Sequence, residues 1–215
     1  MILIGGKSSR FSELGIDKGI FEFMGKPLIS YQLETLSKFK YDIFLVAHSQ
    51  EQAQTYINKI DIKQIMAFII DEKDFVTDTE LHSPMIGLYS GFKELSKLDY
   101  EKVFTLSCDM PLIKYEVIKL IINSIGEYDC CIPRWNNGFL EPLCAIYPTK
   151  KACSKAKLNL ESQTYKLINI LENEWNINYL SVENEIQKFD EKLTTFININ
   201  GPIDIEKLVE IYQLD

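Results

Sequence analysis

The sequence has no apolar run approaching the roughly 18 residues that a membrane-spanning helix needs, so a membrane span is not expected. Its opening, Met1-Ile2-Leu3-Ile4-Gly5, lacks the basic flank of a secretory signal, so none is expected. Internal repeats, low-complexity tracts and a composition-marked linker are also missing. Basic residues are too few to balance acidic ones, 23 against 31, and there are only two histidines, which leaves a net charge of −8. Such a chain repels nucleic acid on average, so nucleic acid is not an expected partner, although a local basic pocket for phosphates is still allowed. The five cysteines, Cys108, Cys130, Cys131, Cys144 and Cys153, are odd in number and include no C-x-x-C pair. A disulfide framework and a zinc knuckle are therefore not indicated, and a reducing cytoplasm is the expected compartment.

What is present is ordinary globular composition: 215 residues, 46% apolar and 25% charged. That length buries roughly 70% of the unfolded surface without a disulfide or metal staple, and it fits one large domain or two small ones. Short apolar runs alternate with longer helical patterns. Strands are expected at Met1–Ile4, Ile43–Ala47, Met66–Ile70, Val103–Leu106, Tyr128–Ile132, Leu143–Tyr147, Asn178–Val182 and Phe196–Ile199. Helices are expected from a first helical position at Pro27, ahead of Leu28, Ile29, Leu33 and Leu36, from Pro84 to about Leu95, from about Tyr115 to Ile125, near Lys150–Lys157 and Thr164–Glu172, and over Ile203–Leu214 after Pro202. This alternation predicts an α/β fold with a mostly parallel sheet and helices on both faces. Ligands of such sheets sit at the carboxyl ends of the strands, so the loops just after each strand are the informative places.

The first such loop reads Gly5-Gly6-Lys7-Ser8-Ser9-Arg10 and leads to Asp17-Lys18-Gly19. Adjacent glycines let the backbone approach an anion, and Lys7, Arg10 and Lys18 add three cations, which together describe a polyphosphate cradle. A Walker loop fails here because its first glycine would fall on Met1, and G-x-G-x-x-G is absent. The G-G-x-S-x-R…D-K loop of nucleotidyltransferases is matched at every named residue. Past the fourth expected strand comes Ser107-Cys108-Asp109-Met110-Pro111. A carboxylate facing a triphosphate fits Mg²⁺, which takes one or two carboxylates plus phosphate oxygens and waters. Asp109 could equally cap the next helix, and the two roles can coexist.

These two segments stand in order with Gly25-Lys26-Pro27-Leu28, Pro84-Met85-Ile86-Gly87-Leu88 and Asn198-Ile199-Asn200-Gly201-Pro202. In that arrangement the chain resembles the MobA-type molybdenum cofactor guanylyltransferases of the MobA-like NTP transferase family, over nearly its whole length. The resemblance implies a Rossmann-like nucleotidyltransferase fold in one domain, with a nucleotide-binding half of about residues 1–112 and an acceptor-binding half of about 113–215. It implies transfer of GMP from GTP to the terminal phosphate of molybdopterin with Mg²⁺; the alternatives are cytidylyl transfer to molybdopterin, sugar-1-phosphate activation, and a non-catalytic nucleotide-binding module that delivers the cofactor. It also implies, as protein partners, molybdopterin-synthesis proteins and apo-molybdoenzymes or their chaperones.

Carried over by position, Leu3, Ile4, Gly5 and Gly6 would hold guanine and phosphates. Arg10 and Lys18 would neutralise the triphosphate, and Asp109 would bind Mg²⁺ and act with them in catalysis. Asp71, past the third strand, matches a nucleotide contact. His48 stands where the family often has Asn, and is open between that role and an ordinary loop histidine. Asn198 and Asn200 are open between approaching the metal or acceptor, with Asn200 as the metal candidate, and forming a turn before the last helix. Arg134-Trp135 with Glu141-Pro142-Leu143 is open between gripping a phosphate and a flat pterin and forming a plain hairpin. The family pattern is R-M-G-x-D-K, whereas Phe11–Ile16 separates Arg10 from Asp17 here. That longer loop is open between a lid and a displacement of Lys18.

Overall fold

The computed structural model of the protein describes residues 1–5, 17–73, 83–201, 204–206 and 208–209. The chain opens with β1 (Ile2–Leu3), a small hairpin of β2 (Glu22–Phe23) and β3 (Lys26–Pro27), and helix α1 (Leu28–Leu36). β4 (Ile43–Ala47), α2 (Gln50–Lys59), β5 (Ile65–Ile70), α3 (Pro84–Lys97) and β6 (Lys102–Ser107) follow. The second half holds α4 (Tyr115–Ser124), β7 (Cys130–Arg134), β8 (Cys144–Pro148), α5 (Thr149–Glu161) and β9 (Ile177–Ser181).

Seven strands form one sheet in the order β5-β4-β1-β6-β8-β7-β9. β5, β4, β1 and β6 are mutually parallel, β8 runs antiparallel to both β6 and β7, and β9 is parallel to β7. The mixed, mostly parallel sheet with helices on both faces is the α/β fold expected from the sequence. Side-chain alternation decides which helix covers which face. Met1, Leu3, Phe44 and Val46 point into a cluster with Met85, Leu88 and Phe92 of α3 and Ala152 and Ala156 of α5. Ile2, Ile4, Leu45 and Ala47 point the other way, onto Ile29 of α1, Tyr56 of α2 and Val117 and Ile121 of α4. Strands covered on both sides read as continuous apolar runs, which is why the sequence shows Met1–Ile4 and Ile43–Ala47 so clearly.

β1 lies where the winding direction changes. The chain proceeds from β1 to β4 and β5 on one side, then returns through α3 to β6 on the other. The carboxyl ends of β1 and β6 therefore flank a crevice, the usual ligand site of such sheets.

Three expectations are corrected. Phe196–Ile199 forms no strand: Thr194–Phe196 is a 3-10 turn, and the chain then crosses the carboxyl edge of the sheet, held by one hydrogen bond from Ile199 N to Asp109 O at 2.8 Å. Its apolar residues served another purpose, since Ile199 packs with Phe23, Leu28, Tyr31 and Leu208 in a third cluster. Thr164–Glu172 is helical only at the 3-10 turn Leu167–Ile170, which drops Ile170 into the core. Pro27 is not the first helical residue but the last of β3 and the N-cap of α1. Only 204–206 and 208–209 of the expected last helix are described, and these are helical; Pro202 lies outside the described residues.

All five cysteines are free, and burial pushes the thiols of Cys108, Cys130, Cys131 and Cys144 up. Among the described residues no helix is long and apolar enough to cross a membrane.

The β2–β3 hairpin turns on Met24 and Gly25, both at positive φ, 45° and 82°. Two consecutive positive φ values define the mirror-image turn that suits strand twist, whose first position prefers Asn. Met24 is exposed and makes no core contact that would favour it. Left-handed backbone costs a side-chain-bearing residue roughly 1–2 kcal/mol, less for Asn. Met24→Asn should therefore stabilise the protein by about 0.5–1 kcal/mol in urea unfolding, through this turn alone.

Candidate functional site

Strand ends bring the candidate residues to one edge. Past β1, Ile4 N and Gly5 N both donate to Val46 O, at 2.9 and 3.2 Å, and Cys108 N donates to Leu3 O at 3.1 Å. Leu3 and Ile4 are core residues with 3% and 2% exposure, so what they present to the crevice is backbone. Gly5 is closely approached: a Cβ there would stand 3.2 Å from His48 N, a tight contact, and 3.6 Å from Asp71 Oδ2. Gly5, His48 and Asp71 are thus immediate neighbours. Gly6, Lys7, Ser8, Ser9, Arg10 and the Phe11–Ile16 loop lie outside the described residues.

Asp71 continues the sheet, its N donating to Ala47 O at 2.8 Å. Glu72 ties the loop down: its N donates to Ser90 Oγ at 2.7 Å, and its carboxylate pairs with Lys93. The Asp71 carboxylate is held over Gly87 of α3, where a Cβ would stand 3.4 Å from Oδ1. That oxygen is buried with no hydrogen-bond partner among the described residues. Burial pushes the Asp71 carboxyl up to about 7, with Lys73 pulling weakly the other way.

Across the crevice, Asp109 follows β6 on a turn held by Gln32. The fully buried Gln32 amide donates from Nε2 to Ser107 O at 2.7 Å and to Met110 O at 2.9 Å. Lys18 Nζ donates to Asp109 Oδ2 at 3.3 Å and to Asn200 Oδ1 at 3.1 Å. The Lys18–Asp109 pair is well shielded, with side chains 12% and 22% exposed. Asp109 Oδ1 is buried and has no hydrogen-bond partner among the described residues. Lys18 therefore stands beside Asp109 and Asn200 at the carboxyl edge of the sheet. Asn200 is turn-bound, its N donating to Asp204 Oδ2 at 2.8 Å; Asn198 is exposed.

Two polar residues that sequence reasoning gave no role, Gln52 and Tyr56, complete the edge. Gln52 donates from Nε2 to Ile4 O at 2.9 Å and to Asp17 Oδ2, and its Oε1 accepts from His48 N at 2.9 Å. The same Oε1 lies 2.7 Å from His48 Nδ1, which assigns the ring proton to that nitrogen. Tyr56 donates its hydroxyl to Asp17 Oδ1 at 2.5 Å. Ser49-x-x-Gln52, a helix-start signature, was the available signal, and Gln52 N does donate to Ser49 Oγ at 3.1 Å. On the far side Trp135 Nε1 donates to Glu141 Oε1 at 2.7 Å. Burial, then the nearby Asp109 charge, raise the Glu141 carboxyl against that hydrogen bond.

Arg134 and Trp135 form no joint grip. Arg134 lies over the Tyr179 ring at 5.4 Å, while Trp135 packs on Phe196 at 5.4 Å. Trp135 N donates to Phe139 O at 2.8 Å, and Arg134 bridges to Leu140, the pattern of a hairpin.

The sheet order and a cation–carboxylate pair at the switch point define an α/β protein with a charged crevice at the carboxyl edge of its sheet. The chain belongs to the MobA-like NTP transferase family, whose model matches residues 1–175. It is similar to the "probable molybdenum cofactor guanylyltransferase" of Thermococcus gammatolerans, 32% identical over 211 residues that span 96% of each chain. The protein of the same name from Thermococcus kodakarensis is 30% identical over 217 residues, covering 100% of this chain and 95% of that one. The crystal structure of molybdopterin-guanine dinucleotide biosynthesis protein A from Archaeoglobus fulgidus superposes with a TM-score of 0.77 at 25% identity, over 100% and 98% of the two chains.

Asp71 sets a pH dependence of stability. A carboxyl raised by burial keeps its proton in the folded state while the unfolded chain, with a pKa of about 4, has lost it. Stability should fall as pH rises from about 4 to about 7 and stay level above that, by at most about 4 kcal/mol for a shift of this size. Asp71→Asn removes the charge and should flatten that slope. Chemical denaturation at pH 4 and pH 8 checks it: the variant should match the parent at pH 4 and exceed it at pH 8.

Proposed function

We propose that the protein transfers GMP from GTP to the terminal phosphate of molybdopterin and releases pyrophosphate. The observation that carries the reading is Lys18, whose ammonium is held between Asp109 and Asn200 at the switch point of the sheet. The names of full-length relatives at 30–32% identity supply the base and the acceptor.

The donor set fits Mg²⁺. Two hard oxygens, Asp109 Oδ2 and Asn200 Oδ1, converge on one cation, and Asp109 Oδ1 is a buried acceptor with no partner. Among the described residues no three carboxylate, His or Cys side chains gather to hold a metal alone. That suits Mg²⁺, which takes one or two carboxylates and completes its shell with phosphate oxygens and water. When bound, it would draw charge from the phosphates.

The chain's own residues then act by placement and charge. The backbone at Ile4–Gly5, with His48 and Asp71 beside it, would face the nucleoside. Arg10 would meet the outer phosphates and Lys18 the α-phosphate, where charge builds as the bond to pyrophosphate breaks. Attack is in line by an acceptor phosphate oxygen that is already ionised near neutral pH, so neither an enzyme nucleophile nor a general base is needed. Positioning and preorganised charge carry such reactions. Residues of about 1–112 would hold the nucleotide, and about 113–215, including Trp135 and Glu141, the acceptor. Molybdopterin-synthesis proteins and apo-molybdoenzymes or their chaperones are the protein partners this role calls for, in the cytoplasm.

The test is to offer GTP, CTP, ATP and UTP separately with Mg²⁺ and molybdenum-loaded molybdopterin and to identify the nucleotide in the product. GMP transfer is expected; transfer of CMP instead would make the protein a cytidylyltransferase, and no transfer would end the reading. Asp109→Ala should fold normally and lose at least about 10²–10³ in kcat, as loss of a preorganised charge contact does. Lys18→Ala should lower kcat and kcat/KM together, whereas Arg10→Ala should chiefly raise KM for GTP.

A further inference from the structure

Lys18 is held at its tip by Asp109 and Asn200, yet its backbone has to be delivered there by a segment with little secondary structure. That segment is a single 3-10 turn, Lys18–Ile20, capped by Asp17. The Asp17 carboxylate accepts from Gly19 N at 3.0 Å and Tyr56 Oη at 2.5 Å through Oδ1, and from Gln52 Nε2 through Oδ2. Tyr56 is fully buried, and its hydroxyl sits so close to Gly19 that a Cβ there would overlap it, with the ring carbons at 3.1 and 3.2 Å. The turn is therefore clamped to α2 by two hydrogen bonds to one carboxylate, which also caps the turn through Gly19 N, and by a glycine that lets the backbone lie against a phenol.

We infer that Asp17, clamped by Tyr56 and Gln52, is a positioning residue that fixes Lys18 at the reacting phosphate. It touches neither Asp109 nor Asn200, so it acts through Lys18. The clamp explains why six residues between Arg10 and Asp17 leave Lys18 in place: the anchor lies downstream of the loop and in another element. It also joins the two sides of the nucleotide site, because the Gln52 amide that grips Asp17 holds Ile4 O and His48 as well. The catalytic part of this inference rests on the guanylyltransferase reading; the positioning part does not.

Two variants and two readouts separate these parts. Tyr56→Phe keeps the buried ring and removes the donor; Asp17→Asn keeps the shape and removes the charge that draws all three donors. The first readout is the rate at which acetyl N-hydroxysuccinimide modifies Lys18, followed by mass spectrometry against the exposed Lys63 in the same chain. Freed from its clamp, Lys18 should open more often and react about threefold faster or more. The second is steady-state transfer from GTP with Mg²⁺ and molybdenum-loaded molybdopterin. There kcat should fall about ten- to hundredfold, as displacement of a catalytic group does, with KM for GTP within about twofold of the parent. Unchanged Lys18 labelling in both variants overturns the inference whatever the activity. Faster labelling in a protein whose parent form transfers nothing from GTP upholds the positioning and ends the guanylyltransferase reading. Faster labelling with kcat unchanged while the parent is active overturns the catalytic part.

Discussion

The Lys18 ammonium is the point on which the site is built. It joins segments 91 and 182 residues apart in sequence, one at each side of the switch point and one from the crossing chain near the C-terminal end. A shielded ion pair is costly to form unless its geometry and its remaining hydrogen bonds are good. Lys18 meets that condition with two acceptors, and each acceptor is itself fixed: Asp109 by the Gln32 tether on Ser107 and Met110, Asn200 by the Asp204 cap. A charge held this way needs little reorganisation when a phosphate arrives, which is the physical basis of electrostatic catalysis.

Two buried glutamines frame the crevice from opposite walls. Gln32 in α1 holds the turn of Asp109, and Gln52 in α2 holds Ile4, His48 and Asp17. Both belong to helices on the same face of the sheet, so one helix layer sets both walls. Buried polar atoms normally find partners, and the exceptions call for an explanation. Of the four such atoms among the described residues, Asp71 Oδ1 and Asp109 Oδ1 lie at the crevice. Acceptors left open at a ligand edge are where a ligand's donors, or a cation, would be satisfied.

Strands and the first-order location of the site were legible because both follow from short-range patterns. Ile43–Ala47 is apolar at every position since both of its faces are covered, and Lys18 and Asp109 could be named because each follows a strand end or a glycine-rich loop. Other features were not legible for physical reasons. α2 buries only Gln52, Ala53 and Tyr56, and two of those carry polar groups, so its apolar stripe is too thin to show. β2 and β3 have two residues each, too few for a period, and their turn uses Met where Asn would signal it. Phe196–Ile199 looks like a strand because Ile197 and Ile199 serve a third cluster that the sheet does not include, while Phe196 packs against the second.

The sequence by itself therefore determined the α/β class, the strand ends that face the ligand, and the charged residues available there, since local periodicity and turn chemistry encode these. Only the tertiary structure decided which of those charges meet. The Asp17–Tyr56–Gln52 clamp, the separation of Arg134 from Trp135, and the convergence of Lys18, Asp109 and Asn200 are contacts between distant segments. They depend on how helices settle against the two faces of the sheet, and no spacing along the chain records that packing.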